Sequence, residues 1–346
     1  MSSAQDSRPA DGTADSPGAA ASRATTRRPF PAGQPASGEP PAVRSFVALG
    51  DSFTEGMSDL LPDGSYRGWA DLLAARLAAH AASAESTAGA DSAPGATRPE
   101  GTESENEAAP GHGQYPGGHP DSRGAARAAS AGEFRYANLA VRGKLIGQIA
   151  AEQVDAAAAM NADLVTLVGG LNDTLRPRCD MGRVLGVLEE CVERLAPSCG
   201  QLVLMRSPGR NGPVLERYRG RMERLFDFID ELAARHGALV VDLYSGAVLA
   251  DPRLWADDRL HLTEEGHRRV AEAVWQRLGH PATSDWRAPL PPSPLPSWTA
   301  RRRADLRFAR QHLVPWIGRR LTGRSSGDGR APKRPELTAL ACEDTP

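Results

Sequence analysis

The chain predicts an α/β protein: one three-layer α/β/α domain around an open, mostly parallel five-stranded sheet. Short apolar segments alternate with segments whose apolar residues recur at helical spacing. The most apolar of the short segments, such as LVTLV at 164–168, lack polar alternation, as expected of strands covered on both faces. Strand and helix take turns along the whole domain, the order that builds parallel sheets.

The elements follow in order. Residues 44–50 (RSFVALG) read as a buried strand and 68–80 (GWADLLAARLAAH) as a helix. A short strand is expected over 134–140, a helix over 144–160 and a strand over 164–168. Then come a helix over 184–195, a strand over 202–205 and a long helix over 215–236. The last pair is a strand over 239–243 and a helix over 263–278, with Thr263 as its N-cap and Glu264 and Glu265 in its first turn.

Three stretches fall outside this rhythm. Residues 1–42 contain only Met1 and Phe30 as large apolar side chains, too few to offset the entropy of ordering, and are expected to be disordered. Residues 83–132 contain no Val, Ile, Leu, Met, Phe or Trp and read as a long solvated insertion within the domain at 43–280. His112 and His119 lie in it without supporting carboxylates or thiols, so they do not suggest a metal. Residues 281–346 form a C-terminal extension: a Pro-rich spacer to Pro296, then 301–334 with a net charge of +9. What remains is 188 residues, enough for one real core.

Composition excludes several function classes. The net charge of −2 does not suit a chain held to nucleic acid by charge. No run approaches the ~20 apolar residues of a membrane span. No apolar secretion-signal core is visible, so a cytoplasmic location with reduced thiols is expected. Cys179, Cys191 and Cys199 surround one helix and Cys342 lies in the tail. They read as structural or free thiols, with a Cys179–Cys191 or Cys179–Cys199 bridge as the alternative. No phosphate loop and no dinucleotide fingerprint follows a strand, so no cofactor and no metal are expected.

In open parallel sheets, chemistry collects beyond the carboxyl ends of the strands. After the first strand stands GDSFTEG (50–56), after the second NLAVRG (138–143), and after the third GGLND (169–173). Before the last helix stands DRLH (258–261). Together they hold a serine, an Asp–His pair and two sources of oxyanion donors. A serine hydroxyl needs a base, and His261 can serve if Asp258, three residues earlier, holds its other ring nitrogen. Gly143 allows close backbone approach, and Asn172 offers a side-chain amide.

These four blocks, in this order, resemble the SGNH hydrolases, also called GDSL esterases and lipases. The resemblance implies the flavodoxin-like SGNH fold, a carboxylic ester hydrolase and an acyl-enzyme on Ser52. It implies His261 as general base and Asp258 as its orienting carboxylate. The oxyanion hole would comprise the backbone N–H groups of Ser52 and Gly143 and the Asn172 amide. Small carboxylic esters are the expected substrates: acetyl or short acyl esters, lysophospholipids or thioesters. The alternative is a catalytically weak binding protein on the same fold, targeted by its basic tail.

Competing residues are set aside on physical grounds. Asp51 is expected to accept turn hydrogen bonds. His267 should lie inside the last helix, away from the strand ends, and the i, i+3 relation selects Asp258 over Asp257. GRSSG (323–327) matches the GxSxG elbow formally but lacks a preceding buried strand. In the tail, Leu306, Ala309, Leu313, Trp316, Ile317 and Leu321 form a helical stripe that Pro315 must kink. Docking of that stripe on the domain is expected, with weak contact to an anionic membrane or an acidic partner, or a solvated tail, as alternatives. A monomer and no nucleic-acid partner are expected.

Overall fold

The structure is a computed structural model and describes residues 43–90, 133–209, 213–294, 297–315 and 326–340. Five strands run parallel: β1 (Ser45–Leu49), β2 (Arg135–Asn138), β3 (Leu164–Leu167), β4 (Gln201–Arg206) and β5 (Leu239–Asp242). Each lies within the segment predicted for it, except β4, which extends its segment by one residue at each end. The sheet has six strands rather than five, in the order β5-β4-β3-β1-β2-β6. The addition is β6 (Arg334–Ala339), antiparallel to β2 at the edge, with Tyr136 opposite Thr338. Its sequence, RPELTA, carries a proline and charged residues, as edge strands commonly do. It has no apolar run, so nothing marked it as a strand. Through this strand the C-terminal extension closes an otherwise open sheet edge.

Period-two alternation divides β1 between two cores. Phe46 and Ala48 face one layer with Trp69, Leu73 and Leu77 of helix α2 (Trp69–Ala90) and Val270 and Val274 of α8 (Glu264–Arg277). Val47 and Leu49 face the other, with Ile146 and Ile149 of α3 (Ile146–Ile149), Leu188 and Val192 of α6 (Met181–Leu195) and Leu225 and Phe226 of α7 (Pro213–His236). The helices are α1 (Ser52–Glu55), α2 (Trp69–Ala90), α3 (Ile146–Ile149), α4 (Asp155–Met160), α5 (Leu171–Thr174), α6 (Met181–Leu195), α7 (Pro213–His236), α8 (Glu264–Arg277) and α9 (Trp298–Phe308). A π-helical stretch, Ala150–Val154, makes α3 and α4 one continuous segment. Among the described residues no helix is long and apolar enough to cross a membrane.

Three further expectations change. Helix α2 continues to Ala90, eight residues into the predicted insertion, because that stretch is rich in alanine and reaches its first glycine only at Gly89. His112 and His119 lie outside the described residues. The expected spacer is anchored at its start: Trp286 is buried, and Arg269 of α8 donates to the carbonyls of Trp286 and Ala288. In the tail, α9 has no buried residue, and Leu306 of the expected docking stripe is 65% exposed. Trp316, Ile317 and Leu321 lie outside the described residues. Helix α9 meets the domain instead through Asp305, paired with Arg259 at 2.6 Å, and through Phe308 beneath the same guanidinium. Cys179, Cys191 and Cys199 are free thiols, without a bridge; Cys342 lies outside the described residues.

Candidate active site

The strand order reverses at β1, whose neighbours are β2 and β3, and that crevice is where sites form in doubly wound sheets. One cavity lies there. Its wall includes Asp51, Ser52 and Phe53 after β1, Val168, Gly169 and Asn172 after β3, and Ser207 and Pro208 after β4. Trp255, Leu260, His261, Leu262 and His267 complete it from the C-terminal side.

Ser52 opens α1, and Asp51 caps it by accepting from the Phe53 N–H at 3.1 Å. The other oxygen of Asp51 accepts from the Asn172 amide at 2.8 Å, which ties the turn after β1 to α5 after β3. Burial pushes the Asp51 pKa up to about 6, against the lowering effect of the Phe53 N–H. Asn172 also donates to the Lys144 carbonyl at 3.1 Å. Both amide hydrogens are therefore engaged, and an acyl oxygen would have to share one of them. Gly143 precedes Lys144, beside the cavity wall rather than in it. Its φ of 72° lies where glycine is strongly favoured.

The loop before α8 is built around Asp258. One of its oxygens accepts the backbone N–H groups of Leu260 and His261, each at 3.0 Å. The other meets Nδ1 of His261 at 2.6 Å. Burial alone would raise the Asp258 pKa, but the His261 ring and the two N–H groups outweigh it and hold it at about 2. Asp258 is thus ionised, and its bond to Nδ1 fixes the imidazole orientation. Ser52 and His261 line the same cavity without a hydrogen bond between them. Ser52, Asn172, Asp258 and His261 are thereby brought together, with Gly143 adjacent.

His267 differs from expectation: it is on the cavity wall. Both of its nitrogens are taken, Nδ1 accepting from the Trp69 N–H and Nε2 donating to the Met57 carbonyl, each at 3.3 Å. Burial holds its pKa down at about 4, so it is a neutral tie between α8, α2 and the loop after α1. Sequence reasoning also missed Ser207 and Pro208. The rule that found the other blocks, looking just beyond each strand, would have found these after β4. Among the described residues no group of three or more His, Cys, Asp or Glu side chains is placed to hold a metal ion.

Residues 100–269 match the model of the GDSL-like lipase/acylhydrolase family. The match takes in Gly143, Asn172, Asp258 and His261; Ser52 precedes it, on the far side of the insertion. No curated protein matches the chain. Among solved structures, the chain is similar to LAE5, an alpha/beta hydrolase enzyme from the metagenome of Lake Arreo, Spain. The identity is 21%, covering 68% of this chain and 96% of that one, at a TM-score of 0.46. It is also similar to Axe2, an acetylxylan esterase from Geobacillus stearothermophilus. There the identity is 16%, covering 69% and 96%, at a TM-score of 0.47. Over residues 100–269 the chain is thus similar to the GDSL-like lipase/acylhydrolase family, a likeness that supports a carboxylic ester hydrolase.

Proposed function

We propose that the protein hydrolyses small carboxylic esters through an acyl-enzyme on Ser52. The observation that carries this reading is the 2.6 Å contact between Asp258 and Nδ1 of His261 at the rim of the cavity that Ser52 also lines. With Nδ1 held by the carboxylate, Nε2 is the ring atom left to act as base. Nε2 takes the Ser52 proton as Oγ attacks the ester carbonyl, then gives it to the departing alcohol. Water repeats the sequence in reverse and releases the acid. The developing oxyanion takes donors from the Ser52 and Gly143 N–H groups and the Asn172 amide. Asp51, accepting from that amide, holds it in place.

The walls favour an apolar acyl group: Val168, Leu171, Leu175, Trp255 and Leu260 line the cavity. Acetyl and short acyl esters are the substrates we assign. A cytoplasmic location fits the three free thiols. A series of p-nitrophenyl esters from acetate to decanoate, hydrolysed by the parent and by Ser52→Ala, tests the reading. Activity should be highest for the short esters, and Ser52→Ala should lower kcat by at least about 10³-fold. A Ser52→Ala variant retaining a tenth of the parent kcat would remove Ser52 from the mechanism.

A further inference from the structure

Lys333 stands in the C-terminal extension, immediately before β6, 281 positions from Ser52 in sequence. Its ammonium is nevertheless inserted beneath the helix that Ser52 opens. It donates to the Glu55 carbonyl at 2.7 Å, the Tyr66 carbonyl at 3.0 Å and an Asp71 carboxylate oxygen at 2.6 Å. An ammonium has three donors, and all three are used.

Each acceptor belongs to a different part of the nucleophile's support. Glu55 is the last residue of α1, where a cation meets the unpaired carbonyls and negative end of a helix. Tyr66 lies in the loop that follows, and Asp71 in the first turn of α2. The ends of α1 and α2 meet at Gly56 and Gly68, whose backbones touch so closely that a Cβ on either would clash with the other's main chain. Lys333 staples this crossing.

The same residue, Glu55, reaches the oxyanion loop. Its carboxylate accepts the Arg142 backbone N–H at 2.6 Å and pairs with the Arg142 guanidinium. Arg142 immediately precedes Gly143. Asp71 extends the support through the Tyr136 hydroxyl at 3.2 Å, and Asn138 links Tyr136 to the Thr54 carbonyl of α1. The last two carbonyls of α1 are thus held by Asn138 and Lys333.

We propose that Lys333 is a positioning residue, through which the C-terminal extension sets the placement of Ser52 and of the loop bearing Gly143. The proposal rests on the reading of Ser52 as nucleophile. Neither Lys333 nor any residue of β6 lines the cavity, so the effect falls on geometry in the transition state. Displacements of about 1 Å at a reacting centre cost up to about 100-fold in rate.

The test is p-nitrophenyl acetate hydrolysis by the full-length parent, Lys333→Met, Lys333→Arg and Ser52→Ala, with competent sites counted by fluorophosphonate titration. Counting sites separates mispositioning from unfolding, because unfolded protein does not titrate. Lys333→Met should lower kcat per titrated site about 10- to 100-fold. KM should stay within about two-fold, because binding is not what Lys333 supports. Lys333→Arg, which restores charge and donors, should recover most of the loss. An unchanged kcat per titrated site in Lys333→Met overturns the proposal. If Lys333→Met does not fold, Asp71→Asn, which weakens the tie from the other side, is read the same way: a fall supports the proposal and no change overturns it. Retained activity in Ser52→Ala would instead overturn the reading of the nucleophile.

Discussion

Replacing Asp51 by asparagine gives stability a pH dependence that can be calculated from the structure. Asp51 is 7% exposed, and burial raises its pKa from the ordinary 3.8 to about 6. The folded chain holds this proton more tightly than the unfolded chain. Its contribution to stability is therefore complete below about pH 4 and is lost as pH rises through about 6. The interval from 3.8 to about 6 corresponds to about 3 kcal/mol, most of it falling between pH 4 and 7. Asparagine does not titrate. It also offers one acceptor oxygen where the carboxylate uses two, for Phe53 and Asn172, so it loses about 1 kcal/mol at every pH. Urea unfolding of parent and Asp51→Asn, followed by tryptophan fluorescence at pH 4, 5, 6 and 7, reads the difference directly. The parent should lose about 2–3 kcal/mol relative to the variant across that range. A parent-minus-variant difference that stays constant, or grows with pH, would refute a buried carboxyl that resists ionisation.

Asn172→Ala should lower kcat about 10²–10³-fold with the site count unchanged, the cost of one oxyanion donor; a loss under ten-fold with p-nitrophenyl acetate would remove it from the oxyanion site. Glu272→Ala should act on stability alone. This carboxylate is 2% exposed and accepts from Arg76, Thr283, Ser284 and Gln276, which clasps the start of the extension to α8. Removing this carboxylate leaves its part-buried donors without an acceptor, which costs about 1–3 kcal/mol, and calorimetry should show Tm lower by several degrees. Because Glu272 is outside the cavity wall, kcat per titrated site at 25 °C should match the parent. Activity falling in proportion to Tm would place Glu272 in the site's support.

What was legible in the sequence follows from what its patterns encode. Four of the five parallel strands are mostly apolar runs, β2 (RYAN) being the exception, and period-two alternation in β1 separates Phe46 and Ala48 from Val47 and Leu49. The candidate site was legible because candidate chemistry concentrates in a few residues just beyond those strands, so Ser52, Asn172 and the Asp258–His261 pair could be proposed from four short blocks. What escaped was made by long-range contact. Strand β6 has one large apolar residue, Leu337, and forms because β2 leaves an edge open. His267 was assigned to a helix interior correctly, but only packing shows that this helix end borders the cavity. The anchoring of the Trp286 carbonyl by Arg269, and of Lys333 by acceptors more than 250 positions away, is announced by no local pattern. The tail's arginines drew attention to charge, whereas its attachments include the Arg269 and Glu272 clasps at its start, the Asp305–Arg259 pair, Lys333 and a six-residue strand.

The central claim is that Ser52 is the nucleophile activated by His261. Labelling the folded protein with a fluorophosphonate and mapping the modified peptide by mass spectrometry tests it most directly. The account predicts one phosphonate per chain, attached to Ser52, and labelling slowed by orders of magnitude in His261→Ala. A folded parent that stays unlabelled, or that carries the phosphonate on another residue, would contradict it.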